Sequence, residues 1–168
     1  LHIEAHSFPT RRSSDLTHSK LTLEGVGMKV PEKHQSAIGM SASELSIRNS
    51  TIFSKIDLSE GSKLTLENVH IEKFGNNTIH AKDSEVIAKN STITGGDLEK
   101  DFPPVWLRNV IWESENCKIE LPTGTGVCLD NNVQFNSDSD RMTSLNAFNS
   151  MVRAHQATFT EFLCVYEE

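Results

Sequence analysis

The feature that most constrains this chain is a phrase that recurs along it. The phrase is clearest as Ser62-Lys63-Leu64-Thr65-Leu66-Glu67-Asn68-Val69-His70-Ile71. Earlier copies occupy residues 19–28 and 43–52, and a later one 84–93. Two degraded copies at 105–112 and 127–131 keep the order apolar, any, apolar, any, Asn. The marks at Gly25, Asn49, Asn68, Asn90, Asn109 and Asn131 are spaced by 24, 19, 22, 19 and 22 residues. A period in this range means a solenoid of stacked units, each unable to bury its apolar face alone.

Leucine-rich repeats share the period, so the alternation within each copy has to choose the fold. Leu64 and Leu66 point one way and Lys63, Thr65 and Glu67 the other, the two-residue period of a strand with one buried face. A second short alternation precedes most marks by about a dozen residues: Ile38-Gly39-Met40, Ile56-Asp57-Leu58, Ile79-His80-Ala81 and Ile119-Glu120-Leu121. Two or three short strands per turn, with no amphipathic helix between them, predict an all-β parallel β-helix of about six turns over residues 17–136. A right-handed coil is expected, as for nearly all parallel crossovers.

The outward residues predict the register. The position before the first apolar residue runs Lys20, Glu44, Lys63, Glu85; the position before the mark runs Glu24, Arg48, Glu67, Lys89. Both series alternate in sign, in opposite phase, so in-register stacking sets opposite charges side by side and a one-turn slip sets like charges together. Register control on a solvated face is the reading; a charged ligand groove is the alternative. The Asn at each mark is expected to form a ladder of amide hydrogen bonds. Asn49 and Asn90 satisfy the N-glycosylation pattern, but an amide held in a ladder cannot carry a glycan, which leaves Asn76-Asn77-Thr78 as the candidate acceptor.

A chain of 168 residues, 36% apolar, can bury one substantial core. Its net charge of −7 argues against sequence-independent nucleic-acid binding, and no apolar run is long enough to span a membrane. Residues 5–16, from Ala5 to Leu16, resemble a translated sequencing-adapter oligonucleotide, so residues 1–16 are set aside from the fold as non-native, and the true N terminus and any signal peptide are expected to be missing. After Asn136 the template is lost to this reading. Ser137-Asp138-Ser139-Asp140 offers capping residues, and Met142, Leu145, Phe148, Met151, Val152 and His155 follow at helical spacing. A short helix over 141–154 is expected within a C-terminal cap or tail, 137–168, that closes the solenoid or contacts another subunit.

Three cysteines without a CxxC spacing predict neither a zinc site nor a disulfide framework; free thiols are expected, with Cys117–Cys128 the one alternative pairing. Asp130, Asn132 and Gln134 begin like a calcium loop, which fails at Phe135 and Arg141. No cofactor or metal is expected. The strongest catalytic constellation is Asp57 stacked beside His80, a carboxylate orienting an imidazole. Glu99 is expected one turn beyond His80, and Asp97 and Asp101 could join from the irregular segment 95–104 as paired carboxylates flanking a glycosidic bond. Trp106 is expected to face outward in register with Thr65 and Ile87, as a ligand-binding aromatic.

On its strand pattern and Asn marks, residues 19–131 resemble the right-handed parallel β-helix proteins of the pectin-lyase-like superfamily. That resemblance implies a polysaccharide-facing solenoid of the cell surface, of secreted proteins or of phage tails. It implies no catalytic residue, because the polygalacturonase and lyase signatures are absent; Asn77-Thr78-Ile79-His80 lacks the needed acid. Three functions are therefore carried forward. The first is a non-catalytic module binding polysaccharide or a surface protein, extracellular or at the cell surface. The second is a polysaccharide lyase or glycoside hydrolase using Asp57 and His80. The third is a self-assembling solenoid forming homo-oligomers through its ends.

Overall fold

The computed structural model describes residues 14–29, 37–97, 102–121, 124–161 and 163–166. They form an all-parallel β-solenoid in which each turn carries three short strands. A first face stacks Ser14–Thr17, Ala37–Ser41, Lys55–Ser59, the start of Ile79–Lys89, the start of Val105–Glu115, Val127–Asp130, Leu145–Phe148 and Leu163–Tyr166. The second face stacks Lys20–Glu24, Glu44–Arg48, Lys63–Glu67, the ends of the same two long strands, Gln134–Asp138 and Met151–His155. The third face holds seven strands, from Gly27–Lys29 to Thr158–Phe159.

The predicted charge register is the observed one. Glu44 lies beside Lys20 and Lys63, and Glu67 beside Arg48 and Lys89. Lys20 reaches Glu44 at 2.6 Å, Lys63 reaches Glu85 at 2.7 Å and Arg48 reaches Glu67 at 3.3 Å. Pairs this exposed are worth about 0–1 kcal/mol each; their effect is on which turn pairs with which.

The interior supplies the stability. Leu45, Leu64, Val86, Trp112 and Phe135 form one file through successive turns and are essentially inaccessible. The rings of Trp112 and Phe135 stack at 5.8 Å and 14°. Each fully buried aliphatic of such a file contributes about 1.5–3 kcal/mol.

Asparagine sits at the corners because the chain must turn there through the left-handed region, which Asn tolerates better than most L-residues. Between the second and third faces the turning residues are Gly25, Asn49, Asn68, Asn90, Asn116, Ser139 and Gln156, all with φ between 47° and 64°. The amide ladder is present: Asn68 Nδ2 donates to Asn49 Oδ1 at 2.7 Å and Asn116 Nδ2 to Asn90 Oδ1 at 2.8 Å. A second ladder runs along the corner between the first and second faces, where Asn132 Nδ2 donates to Asn109 Oδ1 at 2.5 Å. Asn109 and Asn131 thus belong to a different corner from the four marks that precede them. Buried serines follow many corners, and each accepts a backbone N–H from the turn before: Val26 N–H to Ser50 Oγ at 2.9 Å, Val69 N–H to Ser91 Oγ at 3.1 Å.

Two expectations about the chain's path are corrected. The expected helix over 141–154 is instead the strands Arg141–Met142, Leu145–Phe148 and Met151–His155, in parallel register with the preceding turn. Met142, Leu145 and Val152 mimic helical spacing because short strands are separated by tight corners, one of them at Asn149 with φ 44°. Ile119 does not extend the Ile56 and Ile79 series; it stacks on Ile93 in the third face. At the other end, Ser14–Thr17 pairs in register with Ala37–Ser41, so the last residues of the adapter-like segment continue the coil.

Segment 95–104 begins inside the fold. Gly95 and Gly96 close the strand Thr92–Gly96, beside Lys73 and Phe74. A Cβ on Gly95 would stand 2.0 Å from the Lys73 carbonyl oxygen, and its φ of 142° suits only glycine. Asp97 and Phe102 then exchange backbone hydrogen bonds of 2.8 and 2.9 Å.

Candidate functional site

The first face carries the candidate site on its outward row. Alternation buries Ile56 and Leu58, Ile79 and Ala81, and Val105 and Leu107, and so turns Asp57, His80 and Trp106 outward. Register then sets His80 beside Asp57 and Trp106 beside His80. Asp57 next to His80 is as expected. Trp106 is not in register with Thr65 and Ile87, which lie on the second face; Glu113 holds that place. The position one turn beyond His80, expected for Glu99, is taken by Trp106.

His80 Nδ1 lies 3.0 Å from Asp57 Oδ1. An ionised carboxylate only accepts, so Nδ1 carries the proton and Nε2 is the acceptor of the neutral ring. The imidazole and indole centroids are 4.6 Å apart with planes inclined at 43°. Lys55 adds a third partner, its Nζ 2.7 Å from the same Asp57 oxygen. Burial pushes the Asp57 carboxyl upward, but the hydrogen bonds from His80 and Lys55 outweigh it and hold the group below its ordinary range.

That depression has a sign. The pairing of Asp57 stabilises the fold above the ordinary carboxylate range and is lost as pH falls through the lowered value. With 34% of the side chain exposed, the contribution is screened to no more than about 1 kcal/mol. Asp57→Asn is therefore expected to be slightly less stable than the wild type at pH 7 and indistinguishable from it well below pH 4, measured as thermal midpoints across pH. His80→Ala removes one half-exposed side chain and is expected to lower the midpoint by roughly 2–4 °C, leaving the fold intact.

The remaining expected site residues separate from this stack. Asp97 lies where the third face turns back toward the first, positioned by its backbone bridge to Phe102. Glu99 and Asp101 lie outside the described residues. The stack thus offers an oriented imidazole, one carboxylate and one indole. Residues missed by sequence reasoning are Lys55, Lys82 and Arg108; the last two follow His80 and Trp106 by two positions and share their face, a signal available once Trp106 is placed correctly.

No protein-family model, curated protein or solved structure matches this chain. The surface has to be read from its own atoms.

Elsewhere the polar surface is largely satisfied internally. A cavity of about 560 Å3 on the second face is bordered by Lys89, Glu115, Asp138 and His155. Four of its charged or titratable groups pair with one another, Lys89 with Glu115 at 2.8 Å and His155 with Asp138 at 3.0 Å. Cys117, Cys128 and Cys164 form no disulfide, and burial pushes the Cys117 thiol up to about 11. Among the described residues no group of three or more His, Cys, Asp or Glu is placed to hold a metal ion, and no helix is long and apolar enough to cross a membrane. Asn49 Nδ2 donates to Glu24 and its Oδ1 accepts from Asn68, which engages the nitrogen a glycan would need; Asn90 Oδ1 accepts from Asn116 in the same ladder.

Proposed function

We propose that this chain is a non-catalytic β-helix module that binds polysaccharide through its first face, within a secreted, cell-surface or phage-tail protein. The observation that carries the reading is the outward stack of Asp57, His80 and Trp106. Sugar chains are bound by an aromatic surface that covers their C–H groups and by donors and acceptors for their hydroxyls. Trp106 supplies the first; Asp57 Oδ2 and His80 Nε2 supply acceptors for the second. The outward row is straight and its rungs are about 4.8 Å apart, so a polymer lying along the solenoid axis meets several turns at once. The fold is of the kind found in the pectin-lyase-like superfamily, an analogy that supports a glycan partner without assigning one.

The test is affinity electrophoresis against a panel of neutral and acidic polysaccharides. At least one polymer is expected to retard the protein, and Trp106→Ala is expected to weaken that binding about tenfold, or 1.4 kcal/mol, at an unchanged thermal midpoint. Retardation identical in the variant would remove the reading.

The oriented imidazole favours a second reading, a lyase or hydrolase in which His80 is the acid or base. It predicts unsaturated products or new reducing ends that disappear in His80→Ala; binding without turnover on every retarding polymer would leave the module reading alone.

A further inference from the structure

We infer that Asn76 is the acceptor of an asparagine-linked glycan whose first sugar packs on Phe74; this rests on the secreted or cell-surface placement in the reading above. Asn76-Asn77-Thr78 is one of three Asn-x-Ser/Thr sequences in the chain. It lies in the corner that leads from the third face back to the first, just before Ile79 and His80. The other two begin at Asn49 and Asn90, within the amide ladder, and Asn49 already spends its Nδ2 on Glu24 at 2.6 Å.

Asn76 is held differently. Its Oδ1 accepts the Asn77 N–H at 2.8 Å, and among the described residues no hydrogen bond engages its Nδ2. No buried side-chain nitrogen or oxygen of those residues lacks a partner, so this unpartnered Nδ2 is open to solvent. The loop around it is fixed by its neighbours. Asn77 Nδ2 donates to the Pro103 carbonyl at 2.6 Å, Thr78 Oγ1 to the Thr94 carbonyl at 2.8 Å and the Gly75 N–H to the Gly96 carbonyl at 2.9 Å. Phe74 supplies a second, independent observation. It ends its strand two positions before Asn76, which keeps the two Cα atoms within about 7 Å, and its neighbour in register is Gly96, with no side chain to cover it. The ring is 54% exposed, and an exposed ring is a surface for the C–H face of a sugar.

The donor class is an oligosaccharide carried on a polyprenyl diphosphate. A bond forms between Asn76 Nδ2 and the anomeric carbon of the first sugar as the bond from that carbon to the diphosphate oxygen breaks. Nδ2 releases one proton, and the polyprenyl diphosphate leaves with the electron pair. Oδ1 and one N–H stay on the amide, so the contact from the Asn77 N–H survives. Thr78 is inaccessible in the folded chain; the transfer therefore precedes closure of this turn, and the modified loop closes with its own hydrogen bonds intact.

The experiment directs the full chain, behind a secretion leader, into the secretory route of cultured animal cells and recovers it from medium and cells alike. Enzymatic removal of glycans marks each occupied asparagine as aspartate for peptide mass spectrometry. The expected result is a glycan at Asn76 in most folded chains, with Asn49 and Asn90 unoccupied in that fraction. The glycosylated protein should melt about 2–4 °C above Asn76→Gln, and the gain should vanish when Phe74→Ala is compared with Phe74→Ala/Asn76→Gln. An empty Asn76 in both fractions, a glycan there only in misfolded chains, or equal occupancy of all three asparagines in folded chains overturns the acceptor. A thermal gain that persists in Phe74→Ala overturns the packing on Phe74. Polysaccharide binding is measured on the Asn76→Gln protein, so its failure is seen apart from that of the acceptor: no retarding polymer, with Asn76 occupied in folded chains, removes the binding reading and supports this inference.

Discussion

Leu66→Asp is expected to abolish cooperative unfolding of the solenoid around its third turn. Leu66 is inaccessible and stands in file between Ile47 and Ala88, themselves inaccessible. Removing the leucine forfeits its transfer energy and leaves a cavity, about 2–5 kcal/mol in comparable sites. The new carboxylate then either ionises without a partner or is held neutral without one, several kcal/mol more. The sum matches the whole stability of an ordinary domain, about 5–15 kcal/mol. Because each turn touches only its neighbours, the damage should be centred on residues 44–48, 63–67 and 85–89. Far-ultraviolet circular dichroism on heating and limited proteolysis read it. Thr65→Asp, one residue away on the outward side between Ser46 and Ile87, should shift stability by no more than about 1 kcal/mol. Equal midpoints for the two variants would contradict the assignment of inward and outward positions.

The same alternation explains what the amino-acid order makes legible. Charge series such as Lys20, Glu44, Lys63 and Glu85 carry register explicitly, since only one stacking satisfies them, and the structure adopts it. Asp57 beside His80 followed from the apolar residues that bracket each. The sequence pattern puts Trp106 on the wrong face for a physical reason. The first two corners of each turn, from the first face to the second and from the second to the third, use a residue that accepts positive φ, and asparagine serves either one. In the early turns the first corner uses His18, Ala42, Glu60 and Asp83, so asparagine looks like a label for the second corner alone. Asn109 breaks that habit, and with it Trp106 moves from the second face to the first. The C-terminal turn was legible in principle: Leu145-Asn146-Ala147-Phe148-Asn149 repeats the template, but its strands are so short that helical spacing fits their apolar residues equally well.

Asp140 shows how far a residue's role can depend on a corner that local spacing hides. Beside Ser137 and Ser139 it resembles a helix cap; in the fold it points inward and is 1% exposed. It follows the corner residue Ser139 as Ser50 follows Asn49 and Ser91 follows Asn90, and it meets the same demand. Its Oδ1 accepts the Cys117 N–H at 2.6 Å, as those serines accept an N–H from the turn before. Its Oδ2 also accepts the hydroxyls of Ser137, at 2.7 Å, and Ser114, and Ser114 Oγ in turn accepts the Trp112 indole N–H at 2.8 Å. Asp140→Ala would leave a buried backbone N–H and two buried hydroxyls without their acceptor, at about 1–3 kcal/mol for each group that finds no other. A loss of about 3–5 kcal/mol is expected by denaturant titration, with Trp112 fluorescence reporting the disturbed indole. Asp140→Ser restores the arrangement of the other turns and should recover the Cys117 contact, reducing the loss to about 1–2 kcal/mol. If alanine costs less than 1 kcal/mol by the same titration, the buried carboxylate is not what joins these two turns, and the packing of Trp112 on Phe135 must hold them instead.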